Sequence, residues 1–323
     1  MLFRSNGKYE LKLGAATREA FGNALLELGK ENPNVVVCDA DLAKSTYTHL
    51  FQKSFPERFF SCGIAEANMV SIGAGLAASG KIAFVASFSA FVLNKGFEQL
   101  RVTVAYPKVN LKVVGTHSGI SIGEDGPSQM SVEDIGLACS LAGFTVISPA
   151  DEVSTFALVK AAAYLDSPVF IRAGRVKVAT IYKPDQKFEV GKSIQLTDGK
   201  DLTIIAHGMM VAEALKAVDV LAAEGIAVRV IDMHTIKPID RDAIARAAAE
   251  TGAIVVTEEH FTATGLGVRV AQVVAETNPC VMEFHGMGDF YAESGTPEQV
   301  LTKFHMNAEA VAATARRAMK RKK

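Results

Sequence analysis

Three segments in the first half of the chain carry residue types that could do chemistry, and each has a plainer reading beside it. In GIAEANMVSIGAGLAASG, residues 63–80, Glu66 stands just inside a helix that follows a strand. An acid in a first helical turn is favoured by the helix dipole and needs no further role. Its neighbours Ile64, Ala65, Ala67 and Met69 are apolar, however, and a desolvated carboxylate resists ionisation and can share a proton with a ligand nitrogen. In SFSAFVLNKGFEQLR, residues 87–101, Phe88, Phe91 and Phe97 fall at helical spacing, which serves a hydrophobic core as well as a stacking wall. The third segment, GTHSGISIGEDGPSQMSVED, is twenty residues long with four glycines, a proline, His117, Glu124, Asp125 and Gln129. A loop that long and polar in a compact domain is commonly functional, although turn chemistry on an ordinary surface uses the same residues.

All three segments would lie at the ends of strands, where open α/β sheets bind ligands. Thr17 is placed to cap a helix with Ala20, Phe21, Ala24, Leu25 and Leu28 on one face, ending at Gly29 with Pro33 beyond. VVVCDAD follows as a continuous Val-rich run, the pattern of a parallel strand covered on both faces. The alternation continues with strands over 59–62, 82–86, 111–115, 145–147 and 169–172, and with helices from 65, over 93–105, from 132 and from 151. YKPDQK, at 182–187, carries proline and charge without periodicity and reads as a linker. Beyond it come LTIIAHG, a helix over 211–224 stopped by Gly225, IAVRVIDM, a helix over 241–250, AIVVTEEH and a helix after Gly265. Crossovers of this length favour right-handed parallel units. The expectation is an α/β protein of two doubly wound domains with largely parallel sheets, over 1–184 and 188–323. TGLGVRV, at 264–270, lacks the third glycine of a dinucleotide fingerprint and reads as a tight turn before a helix.

Composition narrows the class. The 323 residues are 49% hydrophobic with a formal net charge of -1, enough chain for two packed domains. Charge so nearly balanced exerts no long-range pull on nucleic acid or an anionic membrane, and the basic tail at 316–323 reads as a solvated helix end. The opening MLFRSNGKYELKLG is broken by charge and glycine before any apolar stretch could act as a signal. The weakly polar stretch at 69–93 contains Lys81 with several glycines and serines, a poor membrane span. Cys38, Cys62, Cys139 and Cys280 lie far apart with no CxxC pair, signalling neither a zinc site nor a disulfide framework. A cytoplasmic protein with reduced thiols is expected.

At the three chemical segments the sequence resembles the C-terminal portion of transketolases. The resemblance runs from ATREAFGNAL through DLAKST, RFFSCGIAEANMVSIGAGLA, FSAFVLNKGFEQLR, HSGISIGEDGPSQMSVEDI, SPADE and FIRAGR into RVIDMHTIKPID and TEEH, nearly the whole chain. It implies the pyrimidine-binding domain followed by the C-terminal domain of that family, with thiamine diphosphate as cofactor. By this resemblance Glu66 hydrogen-bonds the cofactor's pyrimidine ring and promotes the tautomer that activates its thiazolium carbon. Phe88 and Phe91 wall that ring, with Asp41 and Gln129 near it. Arg18, Ser45 and Arg175 clamp a sugar phosphate, His117 touches the substrate beside it, and Asp125 accepts a bond from a substrate hydroxyl. A phosphate suits the planar donor fork of arginine, and orientation and electrostatics are what a protein adds to cofactor chemistry. Asn94 stands where the family often carries an aromatic residue.

The resemblance also implies a second polypeptide. Transketolases hold the diphosphate and Mg²⁺ with a GDG motif and a downstream asparagine in an N-terminal domain, whereas this sequence has GEDG at 123–126 and no GDG. Oxygen ligands for Mg²⁺ and donors for the diphosphate are both required. The expectation is therefore an N-terminal partner subunit that supplies the Mg²⁺ ligands, no metal ligand on this chain, and an assembly with two copies of each. The expected reaction is transfer of a two-carbon ketol unit from a ketose phosphate to an aldose phosphate. Two other readings stay open. The beta subunit of a 2-oxo acid dehydrogenase decarboxylating component shares the two-domain order, but its substrate has no phosphate for Arg18 and Arg175. A non-catalytic regulatory relative has no need of Glu66, His117 and Asp125.

Overall fold

The Val-rich runs become the inner strands of two sheets. In the computed structural model, which describes residues 4–5 and 8–322, the first sheet has seven strands ordered Thr235–Lys237, Thr145–Ile147, Val169–Arg172, Lys112–Thr116, Ile82–Phe88, Val35–Asp39 and Phe59–Ser61. All pair in parallel except the first. Every residue of Val35–Asp39 is buried, as an unbroken apolar strand requires when helices cover both faces. Phe21, Leu25, Leu158 and Val159, from the helices Thr17–Glu31 and Glu152–Ala163, pack on one face. Met69, Val70, Val92 and Leu93, from Glu66–Ala78 and Ser89–Gln99, pack on the other.

The second sheet orders five strands as Ile194–Gln195, Val228–Asp232, Leu202–Ala206, Ala253–Phe261 and Val281–Met287. Only the short first strand is antiparallel. Helices Met210–Ala222 and Ala308–Arg321 cover one face, while Arg241–Thr251 and Leu266–Glu276 cover the other. These are the two doubly wound α/β units expected. Among the described residues no helix is long and apolar enough to cross a membrane.

Several local expectations change under tertiary contact. The first helix starts at Thr17, but the Thr17 hydroxyl does not cap it; it accepts the Gly174 amide at 2.7 Å instead. That helix also runs past Gly29 to Glu31, because a bare Cα at Gly29 is what the rings of Phe51 and Phe55 need to pack. The helix expected over 93–105 is α-helical over Ser89–Gln99 and widens to a π-helical turn over Leu100–Ala105, where the Thr103 hydroxyl takes the Gln99 carbonyl at 2.7 Å. In the 182–187 stretch Tyr182 is buried and donates to Asp232 Oδ2 at 2.5 Å, so the segment is anchored at its first residue. Before Leu266–Glu276 the tight turn is filled from within: the amides of Leu266 and Gly267 donate to the buried Glu258 carboxylate at 2.7 and 2.9 Å.

The two halves meet through polar groups as well as apolar ones. Thr235–Lys237 lies beyond the 182–187 stretch in sequence, yet it closes the edge of the first sheet. Arg172, at the end of a central strand, has a side chain only 5% exposed, and its Nε donates to Asp134 Oδ2 at 2.9 Å. The same carboxylate accepts from Ser89 Oγ at 2.8 Å, and Arg172 Nη2 donates to the Glu259 carbonyl at 2.9 Å. Burial pushes the Asp134 carboxyl up, but Arg172, His260 and Ser89 outweigh it and leave it below its ordinary 3.8. Its stabilising contribution is thus present above the unfolded value and is lost as pH falls through the folded one.

Removing one partner of a buried ion pair strands the other, at a cost of about 3–5 kcal/mol. Arg172→Ala should therefore lower the unfolding free energy in a urea titration by about that amount, and Asp134→Asn by less. A loss below about 1 kcal/mol for Arg172→Ala would place the pair outside the interactions that hold the fold.

Candidate active site

Most of the candidate residues stand at carboxyl ends of first-sheet strands or just beyond them. Glu66 opens its helix after Phe59–Ser61, and Phe88 ends Ile82–Phe88. His117 follows Lys112–Thr116, and Arg175 follows Val169–Arg172. Arg18 sits in the first turn of Thr17–Glu31, held near Arg175 by the bond from the Gly174 amide to Thr17.

One line of contacts connects them. Arg18 Nη1 lies 3.1 Å from His117 Nε2, and it also donates to the Ser45 carbonyl at 2.9 Å. A guanidinium can only donate, so His117 Nε2 is the acceptor and the ring proton sits on Nδ1. That nitrogen meets Thr116 Oγ1 at 2.9 Å, and Thr116 donates onward to the Ser87 carbonyl at 3.3 Å. The His117 ring stacks on Phe88 with centroids 3.8 Å apart, and Phe88 stacks on Phe91 at 5.4 Å. Over the Phe91 ring stands the Lys95 ammonium, 4.5 Å from the centroid, and it reaches Glu66 Oε2 at 3.4 Å. Glu66 itself is 3% exposed.

His117 is buried with the left-handed φ of +58°, a conformation that costs most side chains energy and that histidine adopts more often than most. Burial, with Arg18 and Arg175 close by, pushes its pKa down to about 3. Arg175 donates to the Ile122 carbonyl and to Glu124 Oε2 at 2.6 Å. Arg18 also lies over the Tyr47 ring, 5.4 Å from its centroid. Two guanidiniums beside a neutral imidazole make a place for an anion. A buried carboxylate beside an aromatic wall suits a flat ring with a nitrogen to receive it.

Other candidates take different places. Ser45 offers Arg18 its carbonyl rather than its hydroxyl. Asp41 is exposed at φ +62°, on a turn organised by Asp39, whose carboxylate accepts the Leu42 amide at 2.6 Å and the hydroxyls of Thr46 and Thr48. Asp125 is exposed in the short turn Gly123–Asp125, and Gln129 is half-buried and accepts from Ser128. Asn94 turns away to Glu133 Oε1 at 3.1 Å. The residue types alone did not single out Tyr47, Lys95 or Thr116; of these, Lys95 could have been found from its spacing of four residues from Phe91 on one helix. Among the described residues no three His, Cys, Asp or Glu converge so as to hold a metal ion.

The chain belongs to the transketolase family: residues 14–180 match its pyrimidine binding domain and residues 191–311 its C-terminal domain. Within that family it corresponds to the C-terminal section found as a separate chain in split transketolases. A Methanocaldococcus jannaschii chain described as "Putative transketolase C-terminal section" is 42% identical, covering 91% of this chain and 93% of that one. A subunit of a 6-deoxy-6-sulfo-D-fructose transketolase from Clostridium sp. (strain MSTE9) is 36% identical, covering 98% and 99%. The solved structure "Split gene transketolase, inactive beta4 tetramer" superposes with a TM-score of 0.90 at 46% identity, covering 96% of this chain and 100% of that one.

The geometry of His117 has a pH consequence. Its folded pKa of about 3 lies below the ordinary 6.5, so the unfolded chain binds the extra proton and stability falls as pH drops from about 6.5 toward 3. In the unliganded chain the His117 ring protons should show no NMR titration step between about pH 5 and 8. A midpoint near 6.5 would mean that the ring is not held between Arg18 and Phe88 in solution.

Proposed function

We propose that this chain is the C-terminal subunit of a split, thiamine diphosphate-dependent transketolase, which moves a two-carbon ketol unit from a ketose phosphate to an aldose phosphate. The supporting observation is the unbroken line of contacts from Arg18 through His117, Phe88, Phe91 and Lys95 to Glu66. It sets an anion-binding end and a ring-binding end on one surface, as a phosphorylated substrate and a heteroaromatic cofactor need. When bound, thiamine diphosphate supplies the nucleophilic carbon. Glu66 holds the pyrimidine nitrogen and its proton, Phe88 and Phe91 orient the ring, and the half-exposed Lys95 swings clear of Phe91 to admit it. Asp41 and Gln129 border the cofactor. Arg18 and Arg175 grip the sugar phosphate with the Ser45 segment, His117 keeps Arg18 aimed, and Asp125 receives a substrate hydroxyl.

The diphosphate and Mg²⁺ are assigned to an N-terminal partner subunit, because relatives matched over nearly their whole length are sections or subunits of split transketolases. Two copies of each chain form the working assembly, in the cytoplasm, where four unpaired cysteines are at home. A related chain is described as inactive as a beta4 tetramer, which is the behaviour proposed for this chain without its partner. The arginine pair counts against a 2-oxo acid substrate. It does not by itself choose phosphate over sulfonate, the anion named for the Clostridium relative.

Mixed with thiamine diphosphate, Mg²⁺ and sugar phosphates, the purified chain should transfer no two-carbon unit. Adding a chain that carries GDG and the downstream asparagine should restore transfer in proportion to the complex seen by light scattering. Robust turnover by the single chain would sink the split-enzyme proposal.

In the assembled enzyme, Arg18→Ala and Arg175→Ala should each raise KM for phosphorylated sugars by roughly 10- to 150-fold, the worth of one charge-assisted bond. Sulfonated sugars should suffer comparably if the pair reads only charge, and unphosphorylated sugars little. Equal losses on charged and uncharged sugars would assign these arginines to structure alone.

A further inference from the structure

The second half of the chain reaches into the loop that carries His117 and Asp125. Glu259, on the strand Ala253–Phe261, is 3% exposed, and its Oε1 accepts the Ser121 amide at 2.5 Å. Gly119 presses on the same carboxylate: its φ is +79°, and a Cβ there would collide with both oxygens of Glu259. Gly119 in turn donates its amide to the Ser131 carbonyl at 2.7 Å, which ties the loop's entry to its exit. Arg172 Nη2 lies 3.4 Å from that Ser131 carbonyl and 2.9 Å from the Glu259 carbonyl. Farther along, Gly123 lies against Pro297, which opens the helix Pro297–Lys303. The loop rests on a cradle made by the other half of the chain, with one buried acid at its base.

We infer that Glu259 is a positioning residue for the substrate, fixing the backbone on which His117 and Asp125 stand. A buried carboxylate is a costly way to satisfy the backbone donors of Ile120 and Ser121, and burial does push the Glu259 carboxyl up. What it secures is a loop whose first residue, His117, has the unfavourable φ of +58° and relaxes once its neighbours are freed. The role gives the second half a direct part in substrate binding. It rests on the transketolase reading only for the identity of the substrate, since the anchoring is a property of this chain.

The test uses Glu259→Ala and Glu259→Gln in the full chain, first alone and then assembled with the partner. Hydrogen exchange by mass spectrometry should show residues 118–123 exchanging roughly tenfold faster in Glu259→Ala, the loss of one hydrogen bond. Strands Val35–Asp39 and Leu202–Ala206 should keep their protection. Glu259→Gln should stay near wild type, because the amide oxygen still accepts from Ser121. In the assembled enzyme Glu259→Ala should raise KM for the phosphorylated sugar about tenfold, with kcat and the Kd of thiamine diphosphate within about twofold, and Glu259→Gln should restore KM. Unchanged exchange at 118–123 would overturn the inference whatever the assembled enzyme does. So would a loss of protection spread over both sheets, or a fall in kcat at constant KM. A wild-type assembly without transfer activity would instead sink the proposed function and leave the anchoring to be judged by exchange alone.

Discussion

A guanidinium that cannot reach water must be answered by the protein, and Arg172 sets that constraint at the junction of the two halves. Its partners come from separate stretches of chain: the carboxylate of Asp134, the carbonyl of Ser131 and the carbonyl of Glu259. A buried pair of this kind need not add net stability, yet losing one member is expensive. Arg172 thereby joins the sheet that carries it to the strand Ala253–Phe261 of the other sheet. Three residues past Arg172 comes Arg175, and between them Gly174 donates to Thr17, next to Arg18. The spacing of the two exposed-end arginines therefore follows from where the buried one is held.

The site built on that frame is poised for an anion. Arg18 is partly desolvated, and its positive charge is opposed by that of Arg175. His117 cannot relieve the crowding by taking a negative partner; it stays neutral and spends its lone pair on Arg18. Arg175 is answered in part by the exposed Glu124 carboxylate, and an anion that displaced Glu124 would meet the donor forks of both guanidiniums. At the other end Glu66 is paired, among the described residues, with the Lys95 ammonium, which is half exposed. Each end of the surface thus holds charge that a ligand can complete, with the Phe88–Phe91 stack as the apolar wall between them.

The second half holds five of the seven histidines and several buried acids, and those described above serve to hold the chain in place. Strand Thr235–Lys237 closes an edge of the first sheet, Tyr182 is clasped by Asp232, and Glu259 and Pro297 lie under the loop that carries His117. A long glycine-rich loop would otherwise sample many conformations. Packing it against a second sheet trades that freedom for a defined placement of His117.

Much of this was legible in the residues alone. Unbroken apolar runs such as VVVCD announced buried parallel strands, helical spacing placed Phe21, Leu25 and Leu28 on one face, and the unusual polarity of residues 115–134 singled out the loop that carries His117 and Asp125. Chemical roles for Glu66, Arg18 and Asp125 came through family resemblance, since a first-turn glutamate or an exposed acid has no spacing that names its ligand. The tertiary structure alone decided the tautomer of His117, the pairing of Arg172 with Asp134, the loan of Thr235–Lys237 to the first sheet and the grip of Glu259 on Ser121, its partner 138 residues away in sequence. The division has a physical cause. Periodicity records which face of an element leaves water, a property of neighbouring residues, whereas a buried hydrogen bond between distant segments exists only after the topology has brought its donor and acceptor together and removed the water that would have served either one.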